Sequence, residues 1–184
     1  MKRTILYFVM ICFMMTLAQS AKSQEDIKGN VFYSELGGPG VLLSINFDGR
    51  FKSGQRLGLG YRIGVGFSVG EFEDKSARLD DIYDYPRYNT RSYYSIPVGI
   101  NYVLGKKNSS STLEIGASVT YLTRKVSLFY YDVKTPGNIT GNFIFMFRRV
   151  PINGGFLFRV GFTPVIGTSG DLLPMGAVGF GYAF

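Results

Sequence analysis

Apolar residues alternate with small or polar residues along several segments of the chain. The clearest segment runs from Leu57 to Gly70, where every odd position is apolar and every even position is glycine, serine or arginine. Because successive side chains of a β-strand point to opposite faces, this period of two predicts a strand with one apolar face. A tilted strand of about 9–11 residues crosses a bilayer, so this segment is long enough to do so.

The same alternation recurs along the rest of the chain. The further clean segments are 41–48, 94–104, 113–121, 156–163 and 178–184. Asn30–Leu36 and Asn142–Arg149 are also predicted strands, but their facing stays open. In the first, Tyr33 and Glu35 share a side, and the second is apolar on both faces as far as Arg148. The total is eight, and an even number brings both termini of a barrel to the same end.

The connections between these strands differ in length between the two ends. Those at one end are 52–56, 105–111 and 150–154, and those at the other are 37–40, 70–90, 125–140 and 167–173. The two longest connections fall at the same end. This asymmetry predicts an all-β fold, an eight-stranded antiparallel transmembrane β-barrel with short periplasmic turns and longer extracellular loops.

The first residues have the layout of a secretory signal peptide. Lys2 and Arg3 precede an apolar stretch from Ile5 to Leu17, which is too short for a helix to cross about 30 Å of hydrocarbon. Small residues then allow cleavage before Ala21 or before Gln24. We therefore expect a cleaved signal peptide at 1–23, an outer-membrane β-barrel domain at 24–184, and export to the outer membrane of a Gram-negative-type bacterium.

Charge and composition remove several classes of function. The formal net charge is +7, but Lys2, Arg3 and Lys22 lie in the predicted signal peptide, and the other basic residues are scattered. A nucleic-acid partner is not predicted, since such proteins carry a basic stripe or cluster. At 46 % hydrophobic and 16 % aromatic residues, the chain is too apolar for a disordered protein.

Little of the usual catalytic chemistry is available. The sequence has no histidine, and its one cysteine, Cys12, lies in the predicted signal peptide. The commonest general base, a thiol nucleophile and the zinc ligands His and Cys are therefore missing from the mature chain. There is no Walker-type phosphate motif, and the letters Gly-x-Ser-x-Gly occur only at 66–70, inside the predicted strand rather than at the turn that a nucleophilic serine needs. We expect no enzymatic activity, no cofactor and no metal site.

Four charged residues are predicted to point into the barrel near its turn end. The alternation assigns Asp48, Arg62, Glu114 and Arg159 to the inner face. Buried charges have to be paired, and the interior of an eight-stranded barrel is just wide enough for side chains to fill. This predicts an ion-paired network that blocks the lumen. The many inward glycines either make room for the long arginines or leave a narrow cavity, and both possibilities stay open.

The connection 70–90 combines carboxylates, basic residues and tyrosines. The candidate recognition residues in it are Tyr83, Tyr85, Arg87 and Tyr88. Tyrosine and charge on a long exposed segment are typical of binding surfaces. Two other interpretations stay open. The segment could be an ordinary solvated loop, or Arg87 and Arg91 could contact the phosphates of neighbouring lipopolysaccharide.

As a pattern of strands over roughly 27–184, the chain resembles the small eight-stranded outer-membrane barrels of the OmpA and OmpX type. The most specific part is the last segment, where Phe180, Tyr182 and Phe184 share one face. A final amphipathic strand that ends in phenylalanine is similar to the signal that barrel-assembly machinery reads in that family. The resemblance implies outer-membrane lipid, lipopolysaccharide and this machinery as partners.

Together these observations predict a non-enzymatic outer-membrane barrel with a structural or surface-recognition role through its extracellular loops. The surface partner is unknown. The alternative is a narrow, porin-like channel or transporter for a small solute. A soluble lipocalin-like barrel is a third possibility, but it would keep its large apolar residues inside, whereas the inward faces here are small and polar.

Overall fold

The computed structural model describes residues 29–73, 88–126, 137–168, 170 and 172–184. The strands are β1 (Val31–Gly37), β2 (Leu43–Arg50), β3 (Gly58–Glu73), β4 (Tyr88–Leu104), β5 (Ser111–Val126), β6 (Gly137–Arg149), β7 (Gly155–Phe162), β8 (Val165–Ile166), β9 (Leu172–Leu173) and β10 (Gly176–Ala183). A single turn of 3-10 helix, Gly38–Gly40, connects β1 to β2. Over the described ranges, no helix has the length and apolar character needed to cross a membrane.

These strands form one closed antiparallel sheet. Each long strand pairs with its neighbours in sequence, and β1 pairs with β10, which closes the ring. The short β8 and β9 continue β7 and β10 beyond Pro164 and Pro174. Proline has no N–H to donate to a ladder, so the regular pairing is interrupted there. The barrel therefore has eight strands, and the predicted fold class is confirmed.

The barrel has a turn end and a loop end. At the turn end the connections are 51–57, 105–110 and 150–154, and at the loop end they are 38–42, 74–87, 127–136 and 167–171. β3, β4 and β5 extend further toward the loop end than the apolar alternation predicts. Polar residues continue the backbone pairing there, as in the pairs between β3 and β4 that reach Glu73 and Tyr88.

The outer surface of the barrel is apolar and the inner surface is mostly polar. Large apolar side chains are exposed on the outside, with Ile63 49 %, Val98 50 % and Phe145 52 % accessible. The structure also determines which side chains point inward on the two strands whose facing the sequence left open. Tyr33 and Glu35 point inward from β1, and β6 turns Arg148 inward. This arrangement is the inverse of a water-soluble protein, in which large apolar side chains are mostly inside.

Candidate functional site

Seven charged side chains form a continuous series of ion pairs inside the turn half of the barrel. In order of contact they are Arg62, Glu35, Arg159, Glu114, Arg148, Asp48 and Arg50. We call this series the ion-pair chain. Each of its three carboxylates lies between two arginines, and an arginine stands at either end. All seven side chains are at most 5 % exposed, so the charges depend on one another rather than on water for compensation.

The first part of the ion-pair chain connects β3, β1, β7 and β5. Arg62 Nη2 donates to Glu35 Oε2 at 2.7 Å. Arg159 Nη2 lies 3.5 Å from the other oxygen of Glu35 and 3.4 Å from Glu114 Oε1. The ring of Tyr33 packs against both guanidinium groups, with its centroid 4.5 Å from Arg159 Cζ and 5.7 Å from Arg62 Cζ. These distances are within the range of cation–π attraction.

The second part continues through β6 to β2. Arg148 Nη1 lies 3.2 Å from Glu114 Oε2 and 2.6 Å from Asp48 Oδ2, and Asp48 also pairs with Arg50. Asn101 crosslinks this part, since its Nδ2 donates to Glu114 at 2.9 Å and to Asp48 at 3.2 Å. Carboxylates that accept hydrogen bonds from several donors are held in one geometry.

Glycines on the inner face make room for the long arginines. Gly179 is paired with Glu35 on one side and with Arg159 on the other, so Arg159 reaches Glu35 across a position without a side chain. Gly60 is paired with Arg50 and Asn101 in the same way, and Arg50 donates to Asn101 Oδ1 at 2.8 Å. A Cβ at Gly179 would lie 2.8 Å from Arg159 Cγ. At these two positions the arginines occupy the space.

The four residues predicted to share the lumen all lie in the ion-pair chain, but with different partners from those that the strand register suggests. Asp48 and Arg62 are directly opposite each other, yet Arg62 pairs with Glu35. Sequence reasoning missed three members, Glu35, Arg50 and Arg148. Glu35 and Arg148 lie on the two strands of open facing, and Arg50 follows the predicted end of β2. That the ion-pair chain functions as a plug stays a prediction.

The loop half of the lumen is filled by backbone. The turn Gly38–Gly40, which we call the inward turn, is buried inside the barrel mouth. Ser95 Oγ donates to Gly40 O and Thr120 Oγ1 donates to Pro39 O, both at 2.8 Å. On the return to β2, the backbone N–H of Leu42 donates to Ser68 Oγ at 3.0 Å. Side chains from β4, β5 and β3 thus hold this connection inside the barrel.

The backbone is strained at Val41, the residue that follows the inward turn. Val41 has φ 75° and ψ −89°, a region in which a β-branched residue is an outlier. Such strain persists only where the surrounding structure fixes the backbone. Here the N–H of Val41 donates to Gly38 O at 2.9 Å. The sequence predicts only an ordinary connection at 37–40. Its bonds are made by backbone carbonyls, so no residue type signals that it folds inward.

A cavity of about 10 Å³ lies at the turn end, beside Arg56 and Arg148. It has room for about one water molecule. Partial burial lowers the pKa of Arg56, and the positive charge of Arg148 lowers it further. In the part of the chain that the structure describes, no group of three or more His, Cys, Asp or Glu residues could hold a metal ion.

The other predicted site residues lie apart from the lumen. Tyr83, Tyr85 and Arg87 are outside the described residues, and Tyr88 is the first residue of β4. The three C-terminal aromatic residues are exposed on the outer face, with Phe180 50 %, Tyr182 58 % and Phe184 42 % accessible. Their recognition by assembly machinery stays a prediction.

Comparison with known proteins identifies no family for this chain. No family model and no curated protein matches it. Among solved structures, it is similar to Ail, the attachment invasion locus protein of Yersinia pestis, in complex with the heparin analogue sucrose octasulfate. The sequence identity is 12 % and the TM-score 0.35, over 84 % of this chain and 94 % of that one. A likeness at this level carries no argument about function.

Proposed function

We propose that the protein is a non-enzymatic, non-conducting outer-membrane barrel that supports the loops 74–87 and 127–136 at the cell surface. The observation that carries this proposal is the filling of the lumen in both halves. The ion-pair chain crosses the turn half, and the inward turn occupies the loop half. A barrel filled in this way is a rigid support rather than a container.

The outer surface supports insertion into a bilayer. Exposed apolar side chains cover the outside of the barrel, and apolar patches of more than a few hundred Å² mark contact with lipid or with another protein. β1 and β10 pair with each other and close the barrel wall, as a membrane-spanning sheet needs because hydrocarbon does not tolerate an open edge. Together with the predicted signal peptide at 1–23, these features favour an outer-membrane location.

A channel for a small solute is the alternative that the filled lumen opposes. Conduction needs a continuous path for water, and the inward turn and the ion-pair chain both lie across that path. An eight-stranded barrel has just enough interior for side chains. Gly60 and Gly179 could have widened this interior, but the space beside them is occupied by the side chains of Arg50 and Arg159.

The long loops then provide the working surface. Tyr83, Tyr85, Arg87 and Tyr88 are our candidates for contact with a surface partner, since long loops carry binding residues on a rigid scaffold. Arg87 and Arg91 are our candidates for contact with lipopolysaccharide phosphates. Phe180, Tyr182 and Phe184 would serve earlier, when the assembly machinery inserts the barrel.

Labelling of single cysteines in whole cells tests this location and orientation. The predicted mature chain has no cysteine, so the unaltered protein is a blank control. We expect Asp81→Cys, in the longest loop, to react with a membrane-impermeant maleimide in intact cells. Asn108→Cys, at the turn end, should react only after the outer membrane is permeabilised. Labelling of Asn108→Cys alone would reverse the orientation, and equal labelling of both would contradict membrane insertion.

A further inference from the structure

The three connections at the turn end of the barrel carry basic residues without acidic ones. The connections 51–57, 105–110 and 150–154 contain Lys52, Arg56, Lys106 and Lys107 and no Asp or Glu. Arg149, at the end of β6, adds an exposed cation. We call these five residues the turn-end rim. By contrast, loop 74–87 at the other end mixes four aspartates with three basic residues, so it lacks the excess of positive charge that the three turn-end connections carry.

Arg56 joins the three connections into one unit. Its Nη2 donates to the backbone oxygens of Lys107 and Ser109 at 3.2 and 2.5 Å, and its Nη1 donates to Val150 O at 3.0 Å. The turn that carries Lys52 is thereby bound to the turn that carries Lys106 and Lys107. Because these lysines stand on connected backbone, their charges are held near one another before any ligand binds, which lowers the entropic cost of binding.

Apolar side chains are exposed next to these cations. Phe51 is 61 % exposed and packs against Tyr61, with ring centroids 5.5 Å apart, and Ile152 is 40 % exposed. Tyr61 belongs to the apolar outer surface, so this surface continues up to the turn-end rim. Aromatic rings beside lysines with long apolar stems are typical of the level at which hydrocarbon meets lipid headgroups.

From this arrangement we infer that the turn-end rim binds the phosphate groups of anionic phospholipids in the leaflet that it faces. The inference rests on the proposed insertion into a membrane, and it adds the lipid class and the residues that select it. The lysine and arginine side chains attract the negative headgroups, while Phe51 and Ile152 contact the first part of the acyl chains. Zwitterionic lipids have the same phosphate but a cancelling ammonium group, so they should be retained less well.

The test uses the full chain, purified from outer membranes, and counts retained lipids by native mass spectrometry. The probes are phosphatidylglycerol and phosphatidylcholine with identical acyl chains. The test variant is Lys52→Gln/Lys106→Gln/Lys107→Gln. The matched control is Arg124→Gln/Lys125→Gln/Lys134→Gln, which removes the same charge from the end of β5 and from the connection 127–136 at the loop end. A gel-mobility shift between unheated and boiled samples verifies that each variant is folded.

We expect the unaltered protein and the control to prefer phosphatidylglycerol by about tenfold, and the test variant to lose most of this preference. In the unaltered protein the preference should also fall in 0.5 M salt, because the Debye length is then only about 4 Å and exposed charges are screened. This measurement needs no variant. An unchanged preference in the test variant would overturn the inference, as would an equal loss in the control. Displacement of the lipid by soluble cell-wall fragments would overturn it in favour of a cell-wall partner.

The same material separates this inference from the proposed function. Flotation with vesicles of pure phosphatidylcholine measures insertion without any anionic lipid. A protein that fails to float contradicts membrane insertion itself. A protein that floats but shows no preference for phosphatidylglycerol contradicts the function of the turn-end rim alone.

Discussion

In the turn half of the lumen, charged side chains meet in the ion-pair chain, whereas in the loop half a stretch of backbone is held by neutral hydroxyl groups. Arg159, for example, reaches carboxylates on two other strands. The inward turn, by comparison, contributes only carbonyl oxygens to Ser95 and Thr120. The same barrel is thus filled by long side chains at one depth and by a folded connection at another.

The difference has energetic consequences. Buried ions that lose a partner leave an uncompensated charge, whereas a carbonyl that loses one hydroxyl donor leaves only an unsatisfied dipole. The turn half should therefore be the more sensitive to single substitutions. The loop half should be the more permissive, and it is also the half next to the long loops.

The largest effect is expected for Glu114→Gln, because Glu114 is shared by Arg148 and Arg159. Its neutralisation leaves these two buried arginines short of negative charge and should lower the free energy of unfolding by about 3–5 kcal/mol. Urea unfolding in detergent micelles, followed by gel mobility, measures this loss. Glu73→Gln, at the loop end of β3, is the control, and an equal loss there would contradict the comparison.

The ion-pair chain also predicts coupling between distant positions. Asp48→Asn and Glu114→Gln both act on Arg148, so the double variant should depart from the sum of the single variants by about 0.5–3 kcal/mol. Full additivity in the same unfolding experiment would mean that the charges act as separate pairs.

A smaller effect is expected when the space for an arginine is filled. Gly179→Ala places a Cβ 2.8 Å from Arg159 Cγ and 3.0 Å from Ser34 O, which should cost about 1–3 kcal/mol through overpacking. Gly176→Ala, on the same strand, is the matched control because its nearest contact would be 3.8 Å away. The midpoint of thermal unfolding should drop for Gly179→Ala and stay unchanged for Gly176→Ala.

For the loop half, we expect Ser95→Ala to cost about 1–3 kcal/mol, since Gly40 O loses its hydroxyl donor in a buried position. Ser34→Ala, an outward-facing serine of β1, serves as the control. If Ser95→Ala destabilised the barrel as much as Glu114→Gln, the proposed difference between the two halves would be wrong.

The smallest effect on stability is expected in the longest loop. Replacing Tyr83, Tyr85 and Arg87 by serine should change the free energy of unfolding by less than about 0.5 kcal/mol, as for most surface substitutions. Tyr88 is left in place because it begins β4. The same variant should reduce binding of purified lipopolysaccharide, because Arg87 is our candidate for contact with its phosphates, and unchanged binding would remove Arg87 as that candidate.

The strands and their inner and outer faces could be predicted from the sequence, because the size and polarity of each side chain indicate which face it occupies. Along 57–70 a large apolar residue alternates with a small one, and the structure has the corresponding strand. The pairing of Arg62 with Glu35 does not follow in this way, because it depends on side-chain reach and on the packing of Tyr33 between two arginines. The inward turn was not predictable either, since backbone oxygens are the same in every residue.

Single-channel conductance in planar bilayers tests most directly that the lumen is closed. We predict that the folded, unaltered protein gives no open steps. The variant Ser95→Ala/Thr120→Val should also stay silent, because the ion-pair chain still crosses the turn half when the inward turn is released. Reproducible open steps from the unaltered protein, with folding verified by gel mobility on the same sample, would contradict the closed lumen and favour a channel for a small solute.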